Sequence, residues 1–224
     1  MSDLEGIAQR RASEFARRDP FWPAQLTVLA AIVLSLDLPS YLTIKNVWLI
    51  PAVEGVLLAA LVATTPRAGG HRPERRRVAL GLVGLVSASN LLNLTLLTHR
   101  LLHGHTNNGH ELILAGVEIW ITNVLLFTVW YWELDRGGPL ARRLDQLHAP
   151  DFLFPQMTEP RLGGMDWRAG YVDYFYTSFT NASAFSPTDT MPLSPTAKML
   201  MLVQSLTSLV TIGMVLARAV NILQ

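Results

Sequence analysis

Five mostly apolar runs dominate the sequence, at about 21–42, 47–65, 78–99, 112–132 and 197–221. Each comes near the roughly 20 residues that a helix needs to cross the hydrocarbon core of a bilayer. This feature constrains the fold more than any other, because a backbone in hydrocarbon must satisfy its own hydrogen bonds. Half of the 224 residues are hydrophobic and 16% are charged, a balance too apolar for a soluble domain of this length. The expected class is therefore an all-α membrane protein with five transmembrane helices. Between the fourth and fifth runs lie a hydrophilic linker, 135 to about 170, and a half-apolar stretch over 171–185. That stretch is too short and polar to span alone and reads as a re-entrant half-helix, tolerated at membrane depth where protein buries it or water bathes it.

Three parts follow: an interfacial segment over 1–20, a three-helix region over 21–111, and a helix, linker, half-helix, polar turn and helix over 112–224. In the first part, Leu4, Ile7, Ala8, Phe15 and Ala16 fall near one helical face, with Arg10, Arg11, Arg17 and Arg18 elsewhere. This pattern reads as a helix lying on an anionic membrane surface, with an ordinary solvated helix as the lesser alternative. The first twenty residues lack the apolar core and cleavage site of a signal peptide. With five spans, 15 of the 18 Lys and Arg fall on one side of the membrane. The positive-inside rule then puts the N-terminus and the long linker in the cytoplasm.

Composition also excludes. A net charge of +1, with arginines in short clusters, carries no nucleic-acid signal. The absence of cysteine removes disulfides, iron-sulfur clusters and thiolate chemistry together. No nucleophile-and-base pair, phosphate-cradling glycine loop or paired catalytic carboxylates can be assembled, so no enzyme and no cofactor are expected. His99, His103, His105 and His110 crowd "THRLLHGHTNNGHE", and His99 with His103 has the i, i+4 spacing that lets two imidazoles share a metal. Glu111 is the sole carboxylate there, and histidines at an interface need no metal, so none is assigned. Asn181-Ala-Ser matches a glycosylation sequon by chance.

Polar residues inside or beside the apolar runs are functional candidates, because ionisable groups at membrane depth are costly. Glu54, Asn90, Asn93, Glu118 and Asn123 form this set, with Asp37 at a helix end. Asn90 and Asn93 share a helix face, where they could hydrogen-bond a neighbouring helix. Glu54 and Glu118 suit a solute pathway or a hydrogen-bonded structural carboxyl equally. Ser194 before Pro195 reads as a helix start, and the apolar "PDFLFPQM" in the linker reads as a pin to the membrane or to a neighbouring subunit.

From about residue 112 onward the order of elements resembles the pore module of potassium-channel-like proteins. "WELDRGGP" at 132–139 looks like the entry of an outer helix into the turret. The run Asp-Thr-Met-Pro from Asp189 to Pro192 is similar to the Asp-x-x-Pro that follows the filter. The last helix resembles an inner helix, with Gln204 and Arg218 spaced as Glu and Arg are in some bacterial relatives. The chain also resembles an uncharacterised bacterial family of multi-pass membrane proteins with a similar half-helix and Ser/Thr-Asp turn. These resemblances imply a homotetramer around one pore in a bacterial cytoplasmic membrane.

The filter itself departs from the pattern. Counting back from Asp189, the signature T-V-G-Y-G falls on Ala184, Phe185, Ser186, Pro187 and Thr188, without a glycine. Carbonyl-ring filters need left-handed backbone angles that glycine permits and that Pro187, held at φ of about −65°, cannot copy. Four copies offer side chains instead: hydroxyls of Thr180, Ser183, Ser186 and Thr188, the amide of Asn181, and a ring of Asp189 carboxylates. The expectation is a weakly selective pore for monovalent or divalent cations. A small-solute carrier or sensor using Glu54, Glu118 and the asparagines Asn90, Asn93 and Asn123 is the alternative, as is a non-conducting scaffold in which the Ser-Pro-Thr-Asp turn merely caps or pairs. One conflict stands: such channels carry the turret outside, whereas the charge count puts this linker in the cytoplasm, and we follow the charge count.

Overall fold

The structure is a computed structural model and describes residues 20–39, 49–64, 73–103, 109–143, 148–159, 161, 167–183 and 189–222. The segment over 1–19, together with His105, Ser186 and Thr188, lies outside the described residues. The architecture is helical: α1 (Trp22–Asp37), α2 (Leu49–Thr64), α3 (Pro73–His103) and α4 (Gly109–Leu134) precede a 3₁₀ turn at Asp135–Gly137. The short helices α5 (Pro139–Arg143) and α6 (Pro155–Thr158) flank the strand β1 (Phe152–Leu153). Then come α7 (Tyr171–Ser183), β2 (Met191–Pro192) and α8 (Pro195–Ile222).

Three helices, α3, α4 and α8, are long and apolar enough to cross a membrane. The first two apolar runs give shorter helices of 16 residues each. In α1 the cause is Pro39. It disfavours the helical region at Leu38, which sits extended at φ −56° and ψ 137°. Conversely α3 runs 31 residues, well beyond its apolar run. Pro73 opens it at the tolerated first position, and the charged residues that flank the apolar run belong to the same helix.

Helix α4 is the hub, packing along α8, α7, α1 and α3. It ends where Arg136 (φ 52°), Gly137 (φ 78°) and Gly138 (φ 95°) follow one another in positive φ. Glycine is needed at 138, since a Cβ there would meet the Glu133 carbonyl oxygen at 3.0 Å. Helix α8 begins as its sequence indicates, with the Ser194 hydroxyl accepting the Ala197 N–H at 3.2 Å. Helix α7 begins with the Asp173 carboxylate reaching back to the Gly170 N–H at 2.7 Å.

A two-residue ladder, too short to show any periodicity in sequence, pairs Phe152 with Pro192 and Leu153 with Met191. It ties the linker after α4 to the chain returning from α7. The linker's apolar residues have another role than the pin expected of them. Phe152 and Phe154, 0% and 3% exposed, are buried in their own chain against Tyr131, Trp167 and Tyr174.

Candidate functional site

Helix α7 is amphipathic with its polar side inward. Tyr174, Thr177, Ser178 and Ala182 are buried, whereas Val172, Phe175, Tyr176 and Phe179 are exposed. Helix α8 repeats the pattern. Ala197, Met201, Gln204, Ser208 and Thr211 are buried, and Leu202, Val203, Leu206, Leu209 and Val210 are exposed. Water would reverse this preference, because apolar side chains are the ones it drives inward. Hydrocarbon does not, and polar side chains then hold helix to helix.

The polar faces meet at Gln204, which is 0% exposed. Its Nε2 donates to the Ser178 carbonyl at 2.9 Å and the Ser178 hydroxyl at 2.7 Å. Its Oε1 accepts from the Tyr131 hydroxyl, and from Asn181 Nδ2 at 2.8 Å. Every hydrogen-bonding position of the amide is thereby used. Around it, the Ser178 hydroxyl donates to the Val124 carbonyl at 2.7 Å, and Asn181 Nδ2 also reaches the Met201 carbonyl at 3.0 Å. Ser205 donates to Asn181 Oδ1 at 3.2 Å. Asn123 joins from α4, donating to Ser208 at 2.9 Å and the Gln204 carbonyl at 3.3 Å. One network thus fixes α7 between α4 and α8. At its far end Trp120 Nε1 meets the Ala182 carbonyl at 3.4 Å.

A charged cluster supports the other end. Arg75, 1% exposed, donates to Glu133 Oε1 at 2.9 Å, and its guanidinium lies 4.1 Å from the Phe21 ring centroid. Arg76 reaches the Glu133 carbonyl at 3.4 Å. Below them, Asp135 Oδ1 accepts the Asp151 and Phe152 N–H groups at 2.8 and 3.4 Å, and Oδ2 accepts the Tyr174 hydroxyl at 2.6 Å. The start of α3, the end of α4, the linker and the start of α7 therefore share one end of the bundle.

The residues expected to line a pore are distributed as follows. Asn181 points into the α8 network. Thr180 and Ser183 donate to carbonyls of their own helix, at Tyr176 (2.8 Å) and Phe179 (2.7 Å), and Ser183 is exposed. Asp189 is exposed beyond the turn. The intramembrane candidates divide. Glu54, 1% exposed, accepts from Ser89 at 3.1 Å. Asn90 bonds the Ile119 carbonyl of α4 at 3.3 Å, and Asn93 is buried. Glu118 is half-buried, with Oε2 enclosed and without a hydrogen-bond partner among the described residues. Only Asn123 of this set joins the α7 network. Among the described residues no three metal-ligating side chains gather, and His99 and His110 are exposed.

Sequence reasoning missed Tyr131, Ser178, Ser205 and Ser208, and the Arg75–Glu133 pair. One signal was available: Gln204, Ser208 and Thr211 are four and three apart, a polar stripe on one face of an apolar helix. No protein-family model, curated protein or solved structure matches the chain.

Proposed function

We propose that the chain is a pore-forming integral membrane protein, a homotetrameric cation channel of a bacterial cytoplasmic membrane. The observation that carries this reading is the inward polarity of α7 between two long apolar helices. A helix of 13 residues rises about 20 Å, less than the roughly 30 Å of a hydrocarbon core. In a bilayer such a segment enters and returns on one side, which suits the β1–β2 ladder that joins the returning chain to the linker. On this reading α3, α4 and α8 span, α1 and α2 complete two further spans with their flanking residues, and α7 is the re-entrant element.

The chemistry is electrostatic. The carbonyl end of α7 carries the negative pole of the helix dipole and favours a cation nearby. Four exposed Asp189 carboxylates around a shared axis attract cations in the way of acidic rings in other channels. Ser183, Ser186, Thr188 and Thr180 offer hydroxyls to a partly hydrated ion, while the Gln204 network keeps the half-helix in place. The charge asymmetry turns the mouth of this hairpin toward the cytoplasm.

Because the chain has no cysteine, Ser183→Cys tests the proposal directly in liposomes. Cation flux blocked by a bulky thiol reagent from one face supports a pore at that residue and gives its sidedness. Flux that persists after confirmed labelling removes the pore from 180–189.

A second reading rests on Glu118, whose enclosed Oε2 lacks a partner among the described residues. In this reading Glu54, Asn90, Asn93, Glu118 and Asn123 serve a membrane carrier or sensor for a small solute. It requires saturable uptake lost in Glu118→Gln, without unitary currents. A scaffold role follows if neither assay shows activity.

A further inference from the structure

We infer that Glu54 binds a proton: its carboxyl carries a hydrogen and donates it to the Ser89 hydroxyl, joining α2 to α3. The Ser89 oxygen lies 3.1 Å from Glu54 Oε1 and 3.1 Å from the Leu85 carbonyl oxygen. A hydroxyl has one hydrogen, so it serves one of these two oxygens at a time. The second contact needs a hydrogen from elsewhere. The Leu85 carbonyl has none to give, since it only accepts. A protonated Glu54 supplies it, and the order becomes Glu54 to Ser89 to Leu85, with each hydrogen used once.

The surroundings favour the same state. Glu54 is 1% exposed, and among the described residues Ser89 is its hydrogen-bond partner. It is the one ionisable residue of α2, and after it no polar side chain comes before Thr64. Helix α2 packs along α3 and α1. On α3 no ionisable residue stands between Arg77 and His99, which leaves about 18 Å and about 15 Å of helix between those residues and Ser89 at about 1.5 Å of rise per residue. Arg75, farther still, is paired with Glu133. On α1 the ionisable residue is Asp37, which is exposed and is a like charge, not a counter-ion. Asn90, next to Ser89, turns away to the Ile119 carbonyl of α4 at 3.3 Å. An ionised Glu54 would hold one hydrogen bond and no counter-ion among the described residues. Burying a bare charge in this way costs far more than burying its neutral form, and hydrocarbon around the bundle adds to that cost.

This inference goes beyond both the pore and the carrier readings, because its ligand is a proton and its test reads protonation alone. The full chain in lipid vesicles at neutral pH is compared with its variants by infrared difference spectroscopy, in which a protonated carboxyl shows a carbonyl stretch that a carboxylate lacks. We expect wild type minus Glu54→Gln to leave one such band. Ser89→Ala should move the band to higher frequency, because the carboxyl O–H loses its acceptor. Lys45, the cation nearest to Glu54 in sequence, lies outside the described residues, and Lys45→Gln should leave the band unchanged. No band lost in Glu54→Gln, or a band that emerges only in Lys45→Gln, means that Glu54 is ionised and overturns the inference. A band that Ser89→Ala does not move overturns it as well, since the hydrogen-bond order is then not the one that holds the proton. If Glu54→Gln fails to fold, Glu54→Asp takes its place, and a carboxyl spectrum identical to wild type overturns the inference in the same way.

Discussion

Gln204 is the residue on which the position of α7 most depends. Replacing it with Leu keeps the bulk but leaves Ser178, Asn181 and Tyr131 without their shared partner in a buried place. Stranded buried polar groups cost about 1–3 kcal/mol each, so Gln204→Leu should lower the stability of the detergent-solubilised protein by at least that much in reversible denaturation. Stability equal to wild type would show that the network is not what holds α7. The pair Arg75–Glu133 obeys a different rule. Removing one partner strands a buried charge, at about 3–5 kcal/mol, whereas replacing both with apolar residues is often close to neutral. Arg75→Met alone should therefore be the less stable protein and Arg75→Met/Glu133→Leu should recover most of the loss. Non-recovery would mean that the ions hold more than one another.

At the scale of elements, the contact between α4 and α8 is set by a missing side chain. A Cβ on Gly116 would collide with a Val215 methyl, and backbone approach this close needs glycine on one helix. Gly116→Leu should push α8 away from α4, detected as faster proteolysis or a fall in thermal midpoint, while Gly116→Leu/Val215→Ala should regain part of it. The helix starts are more local. Ser194→Ala deletes one capping bond and should cost about 1 kcal/mol without altering the fold, which a chemical denaturation midpoint would register. These elements differ in how far sequence announced them. Pro195 and Ser194 marked the start of α8, and the apolar run ending near 132 put the end of α4 within about two residues of Leu134. The early stop of α1 depended on Pro39, inside a run whose apolar character suggested a longer helix.

For the whole molecule, α7 and α8 turn apolar faces outward. The tetramer proposal requires copies to approach through α8, and the cysteine-free background lets one thiol report it. Leu206→Cys, at an exposed α8 position, should give disulfide-linked dimers under mild oxidation in membranes, while Leu114→Cys on the exposed side of α4 should not. Equal cross-linking at both positions, or none at either, would set the tetramer aside. Conduction belongs to this scale too. If Asp189 forms a ring, Asp189→Asn should reduce the preference for cations over anions in reversal-potential measurements, and an unchanged preference would remove Asp189 from the pathway.

Sequence by itself determined that the chain is helical and apolar enough for a membrane, because runs near 20 residues report a transfer free energy summed along one segment, which needs no partner. It also placed a short helical stretch at 171–185, within two residues of the helix Tyr171–Ser183, since its length and polarity set it apart from the apolar runs on either side. The tertiary structure alone decided which polar side chains face one another. Gln204, Ser178 and Tyr131 lie on three helices, and a hydrogen bond between them depends on rotation and depth of packing, which no periodicity along a single helix encodes. For the same reason Phe152 and Phe154, apolar in a polar linker, read as a membrane pin until the fold turned them into the chain's own core.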